Sequence, residues 1–265
     1  MSKKVILISI DGLRPDAITE LSKRPELRPT FDWLLNKAGC YTLTGKTVFP
    51  PVTLPCHMSL FHSVPPERHG ITTNTYVPPV RPVQGLFEVL AKNGKKNAMF
   101  YGWEPLRDVS RPGSLEWAEF IECYSAEHTD VLLAQRATAR IMSSAPDFVF
   151  LYMVETDDKG GHDHGWMTPE YLDYAFGALN EAIKLWEDFG HEYTFILTAD
   201  HGGHGRGHGN DIPEDMTIPM FFIGDGFMPG KDLGEISILD IAPTICDHMG
   251  VQAPRDWEGK SVAPQ

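Results

Sequence analysis

Three apolar runs in this chain each end almost at once in an acid followed by glycines. Residues 5–10 (VILISI) run into Asp11-Gly12, residues 148–154 (FVFLYMV) into ETDDKGGHDHG, and residues 193–197 (YTFIL) into TADHGGHGRGHGN. Runs this short, rich in β-branched and aromatic residues and without polar alternation, are strands covered on both faces. Sheets of such strands are parallel, need helical crossovers, and present their ligand groups at the strands' carboxyl ends. Fold class and site location are therefore constrained together.

The rest of the chain supplies the crossovers. Residues 28–38 place Phe31, Leu34, Leu35 and Ala38 at helical spacing, with Gly39 placed to end the helix. Residues 83–93, 130–144, 169–189 and 237–249 also read as helices, the last ending at Gly250, and residues 96–101 and 218–223 as strands. The alternation predicts a three-layer αβα fold with a largely parallel central sheet and helices on both faces. No Pro/Ser-rich linker divides the 265 residues, so one domain over 1–265 is expected. Residues 103–124 are rich in Trp, Pro and Gly without a clear period, which fits a pocket wall or a surface connection.

The formal net charge of −13 argues against a basic face for nucleic-acid polymers or an anionic membrane. A small anionic substrate stays compatible, because bound metal reverses the local sign. The amino-terminal apolar run is too short for a signal-peptide core or a membrane span, so a cytoplasmic location is expected. Cysteines 40, 56, 123 and 246 show no paired spacing and are expected as thiols.

The candidate ligands lie in the post-strand loops. Asp200, His201, His204 and His208 fall in one glycine-rich stretch, and carboxylate with imidazole is the donor set of zinc or manganese. A flexible His/Gly loop is the alternative. Asp157 and Asp158 precede His162 by five and four residues, with His164 beyond; the alternative there is a solvated acidic turn. Asp11 is either a further ligand or half of an ordinary Asp-Gly turn. Thr53, two residues ahead of Pro55, suits a helix N-cap. The same geometry puts its hydroxyl where a phosphate meets a helix N-terminus, and a metal neighbour is needed to make that hydroxyl nucleophilic.

In this order the motifs ISIDGLRPD, FPPVTLPCH with the following HGI, GGHDHG and ADHG resemble the alkaline phosphatase superfamily, most closely its type I phosphodiesterase/nucleotide pyrophosphatase branch. The resemblance covers the chain from Asp11 to about His208 and the strand beyond. It implies an alkaline phosphatase-like domain, with a reduced cap over 102–125, and two divalent cations, zinc or manganese. One would be held by Asp11, Asp200 and His201 and would activate Thr53; the other by Asp157, His162 and His208. Asn74, three residues after Ile71, takes the place of the family's neutral phosphate-holding Asn. Three departures stand out: Cys56 replaces the family's Asn, an extra glycine precedes His162, and only six residues separate His201 from His208, where extracellular members insert a long segment. Counting from the strand selects Asp157 and counting back from His162 selects Asp158; the strand exit favours Asp157.

Three ligand carboxylates against two divalent cations leave a surplus of about one positive charge, which an ionised Thr53 would cancel. With neutral Asn74 in place of an arginine clamp, a singly charged phosphodiester is the expected substrate. The implied reaction is hydrolysis through a phosphothreonine. Phosphonate or phosphomonoester hydrolysis on the same site, and metal-dependent binding without turnover, are the competing readings. A sulfatase is disfavoured because its Cys-x-Pro-x-Arg pattern is absent.

Overall fold

The computed structural model describes residues 3–36 and 39–264. In chain order its strands are β1 (Lys4–Ile10), β2 (Gly39–Lys46), β3 (Asn97–Tyr101), β4 (Trp117–Phe120), β5 (Phe148–Met153), β6 (Tyr193–Thr198) and β7 (Thr217–Ile223). They form one sheet in the order β2-β7-β6-β1-β5-β3-β4. Only β7 runs against its neighbours, pairing antiparallel with β6 and β2. The largely parallel expectation therefore holds, with one reversed strand.

The helices are α1 (Pro15–Ser22), α2 (Arg28–Asn36), α3 (Thr53–His62), α4 (Pro66–His69), α5 (Leu86–Lys92), α6 (Thr129–Ser144), α7 (Pro169–Phe189), α8 (Pro213–Met216) and α9 (Ile241–His248). Helices α1, α2, α6 and α7 pack together on one face of the sheet, and α3, α4, α5 and α9 on the other. Every residue from Val5 to Ile10 and from Phe148 to Met153 is buried, as strands covered on both sides must be. The fold is a three-layer αβα arrangement with helices on both faces of the sheet.

Three sequence expectations need correction. Gly39 does not cap a helix: it opens β2, where a Cβ would meet the Phe222 carbonyl at 1.9 Å. Ala38 lies outside the described residues. Thr53 does not cap α3 either; Val52 holds the extended N-cap position and Thr53 is the first helical residue, its hydroxyl left for other partners. The segment 237–249 is a short 3-10 turn, Ile238–Asp240, leading into α9.

Within 103–124, β4 adds a parallel strand to the sheet edge, and Glu104–Val109 is a 3-10 turn. The four cysteines are buried and free. Among the described residues no helix is long and apolar enough to cross a membrane.

Candidate metal centre

The site follows from the strand order. β6, β1 and β5 are adjacent and parallel, with Ser9 level with Thr198 and Ile10 level with Met153. Their carboxyl ends therefore release Asp200, Asp11 and Asp157 on one edge, close together although far apart in sequence.

The first cluster is Asp11, Asp200 and His201, whose donor atoms all lie within 4.8 Å of one another, with all three side chains buried. His201 Nε2 sits 3.3 Å from Asp11 Oδ1 and 3.4 Å from Asp200 Oδ2. The Thr53 hydroxyl is 3.3 Å from the same nitrogen. Asp157, His201 and His208 form the second cluster under the same limit, and His162 Nε2 approaches Asp157 Oδ2 to 3.3 Å. Each Asp of the two clusters keeps one buried carboxylate oxygen without a hydrogen-bond donor: Asp11 Oδ1, Asp157 Oδ1 and Asp200 Oδ2.

The imidazoles are set for ligation by backbone carbonyls. His201 Nδ1 contacts Gly202 O at 2.8 Å, His208 Nδ1 contacts Pro51 O at 2.9 Å, and His162 Nδ1 contacts Arg206 O at 3.0 Å. A carbonyl only accepts, so each Nδ1 carries a proton and each Nε2 is the atom turned toward the carboxylates, able to share a proton with them or to ligate a cation. Nε2 atoms facing carboxylate oxygens need a proton or a cation between them, and outer hydrogen bonds of this kind hold ligand imidazoles in metal sites. Three buried carboxylates and three such imidazoles fit two divalent cations.

Electrostatics agree. Burial, with Asp200 and Asp157 beside it, pushes the Asp11 carboxyl well above the usual range. Burial and Asp157 lift Asp200 to about 8. Asp157 ends below its ordinary value: burial pushes it up, but the hydrogen bond from His162 and the His201 and His208 rings outweigh this. That hydrogen bond raises His162 to about 9. Without cations the cluster must hold protons, as a site that exchanges protons for metal does.

The extra glycine before His162 has a structural answer. Thr156–His164 is a wide π-helical segment, in which Gly165 N–H donates to Gly160 O at 3.1 Å. Such a segment absorbs one inserted residue and still brings position i and position i+5 to one face. Asp157 and His162 therefore meet. Asp158 lines the adjoining cavity but belongs to neither cluster, and His164 stacks near Tyr174, away from the site. The segment's entry is held by the neighbouring helix: Asp130 accepts from Val154 N (2.7 Å) and Glu155 N (3.2 Å), while Glu155 accepts from Thr129 N at the start of α6.

Several site residues escaped the sequence reading. Tyr152 donates to Asp11 Oδ2. His57 donates through Nδ1 to Thr53 O at 2.8 Å and accepts from Ser9 at Nε2, fixing the first turn of α3 to β1. Trp166 meets the His162 and His208 rings edge-on and donates to Gly12 O at 2.9 Å. It explains the second glycine of each pair, since a Cβ at Gly161 or Gly203 would fall 2.5 or 2.2 Å from its ring. Gly12 (φ +65°) is needed as well, because a Cβ there would meet Asp157 Oδ1 at 2.9 Å.

Thr53 opens onto a cavity of about 100 Å³ lined also by Asn74, Trp103, Tyr124, Asp157, His162 and His208. Asn74 Oδ1 accepts from Leu54 N at 3.0 Å, so its amide is anchored to the start of α3 with its NH₂ group as the remaining donor. His204 points elsewhere, to Asp215.

The fold and the clustered donors at its central strand ends define a member of the alkaline phosphatase superfamily. Structural similarity agrees: murine ectonucleotide pyrophosphatase/phosphodiesterase 5 matches with TM-score 0.79 and 15% identity, covering 97% of this chain and 98% of that one. A putative sulfatase from Bacteroides thetaiotaomicron shares the fold with TM-score 0.77 and 15% identity, covering 100% of this chain and 74% of that one. The type I phosphodiesterase/nucleotide pyrophosphatase family model matches residues 5–206, and the chain belongs to that family. Ectonucleotide pyrophosphatase/phosphodiesterase family member 1 of Rattus norvegicus is 27% identical over 228 residues, covering 76% of this chain. The chain spans about a quarter (24%) of that relative's length.

Proposed function

We propose that the chain is a two-metal phosphoric ester hydrolase of the phosphodiesterase type, with zinc as the resident ion and Thr53 as nucleophile. The observation that carries this reading is the Thr53 hydroxyl, 3.3 Å from His201 Nε2 at the start of α3, opening onto a cavity shared with both donor clusters. Bound by Asp11, Asp200 and His201 and by Asp157, His162 and His208, divalent cations would lower the pKa of the Thr53 hydroxyl and offset charge on the leaving oxygen. Thr53 Oγ1 forms a bond to phosphorus as the bond to the leaving alcohol breaks, giving a phosphothreonine; water then cleaves the new Thr–O–P linkage. The Asn74 NH₂ group donates to a non-bridging oxygen, a neutral contact suited to a monoanionic diester. His57 holds the Thr53 carbonyl and thereby the direction of its side chain. Trp103 and Tyr124 offer aromatic surface to the organic arm of the ester.

Murine ectonucleotide pyrophosphatase/phosphodiesterase 5 is known in an inactive threonine-to-alanine form in complex with AMP, which supports both a threonine nucleophile and a nucleotide-sized ester here. The test couples metal analysis of the purified chain to hydrolysis of an aryl phosphodiester, an aryl phosphomonoester and phosphonoacetate. Two equivalents of zinc with fastest turnover of the diester are expected. A preference for the monoester or phosphonate would reassign the substrate class, and bound metal without turnover of any ester would leave a binding protein.

A further inference from the structure

The loop from Gly202 to Asn210 is short, glycine-rich and carries His208, yet it is pinned at several points to one residue. Asp215, fully buried in α8, accepts from His204 Nδ1 at 2.7 Å through Oδ1 and from Asn210 N at 2.8 Å through Oδ2. Its own carbonyl accepts from Gly202 N at 2.8 Å. His204 and Gly207 close a tight turn by exchanging backbone hydrogen bonds of 2.8 and 3.0 Å. His208 is thus suspended between two points, the 204–207 turn and Asn210, each tied to one oxygen of the same carboxylate. The turn also supplies the carbonyl of Arg206 that orients His162 Nδ1, and the carbonyl of Gly205 that accepts from Trp166 N.

We infer that Asp215, acting through His204 and Asn210, is the positioning residue of the second cation site, setting the direction of His162 and His208 together. The first cluster does not depend on it in the same way. Asp11 and Asp200 leave directly from β1 and β6, and His201 Nδ1 is held by the adjacent Gly202 carbonyl. The two sites should therefore respond unequally to loss of the Asp215–His204 contact.

This inference rests on the two-cation reading of the site, and the experiment separates the two. Zinc is titrated calorimetrically into the metal-stripped full chain, as wild type and as Asp157→Asn, Asp215→Asn and His204→Gln. Wild type is expected to bind two equivalents, and Asp157→Asn identifies which belongs to the second cluster. In Asp215→Asn and His204→Gln that same equivalent should weaken by roughly 10–100-fold, the usual cost of losing an outer hydrogen bond in a metal site, while the other stays within about threefold. Should Asp215→Asn fail to fold, His204→Gln carries the test, since it removes only a half-exposed ring. Parallel weakening of both equivalents, or no change in either, overturns the positioning role. Wild type binding fewer than two equivalents overturns the site reading itself.

Discussion

The rings of His201 and His208 stack with centroids 3.9 Å apart and planes 16° from parallel. Each ring belongs to a donor cluster, and His201 Nε2 lies within ligand reach of both. The stack fixes the spacing of the two clusters and brings their carboxylates into repulsion. Burial and His201 beside it hold His208 down at about 4, so its Nε2 stays available at neutral pH. Of the stacked pair, His208 lines the cavity, while His201 lies buried behind it with the Thr53 hydroxyl 3.3 Å from its Nε2.

Thr53→Ala should abolish diester turnover while leaving zinc in place. The three carboxylates and three imidazoles that fit the cations remain, and only the attacking oxygen is lost. Removing an activated hydroxyl nucleophile costs roughly 10⁴-fold or more in kcat. Steady-state kinetics alongside metal content of the same sample checks this; a variant with wild-type kcat would remove Thr53 from the mechanism.

Asp200 makes metal-free protein sensitive to alkali. Its folded-state pKa, raised to about 8, exceeds the unfolded value near 3.8, so the native state holds the proton more tightly. That contribution to stability is fully present below the unfolded value and is lost as pH rises through about 8. Metal-stripped wild type should therefore lose melting temperature between pH 7 and 9, and Asp200→Asn should lose less. Scanning calorimetry of both proteins decides; equal slopes would show that Asp200 does not hold its proton.

Much of this arrangement was legible in the sequence because strand exits are local. The apolar runs before Asp11, Asp157 and Asp200 mark both the strands and the places where the chain leaves the sheet. Other features depend on contacts distant in sequence. Tyr152 sits inside an apolar run and reads as core; its role appears only when β5 lies against β1. β2 (GCYTLTGK) has glycines and threonines where a buried strand would carry branched apolar residues, and it forms because β7 offers an edge. Trp166 left one faint signal, Gly161 and Gly203, which make room for an indole as readily as for a flexible loop.

On the acid side, His62 should weaken the fold. It is buried on α3, donates to Met58 O at 2.9 Å, and burial lowers its pKa to about 4. A folded pKa below the unfolded 6.5 gives stability that is present above pH 6.5 and lost as pH falls toward 4. His62→Gln keeps a polar side chain but cannot take up that proton. Its melting temperature should fall less steeply than wild type between pH 6.5 and 4.5, and an unchanged slope would assign the acid sensitivity to other groups.

Trp166 and the glycines beneath it separate lost bonding from lost space. Trp166→Phe removes the donor to Gly12 O, but the Tyr171 hydroxyl also donates to that oxygen, at 2.8 Å, so the carbonyl stays paired. The cost should be that of one ordinary hydrogen bond plus a partly filled gap, about 1–2 kcal/mol. Gly203→Ala instead drives a methyl to 2.2 Å from a ring that also packs against His162 and His208. Overpacking of this kind costs roughly 1–3 kcal/mol or more, and any shift of the ring is passed to the imidazoles it touches. Gly203→Ala should thus lower both urea stability and zinc affinity, whereas Trp166→Phe should mainly lower stability. Chemical denaturation and zinc titration of the two variants test the contrast, which fails if Gly203→Ala binds zinc as tightly as wild type.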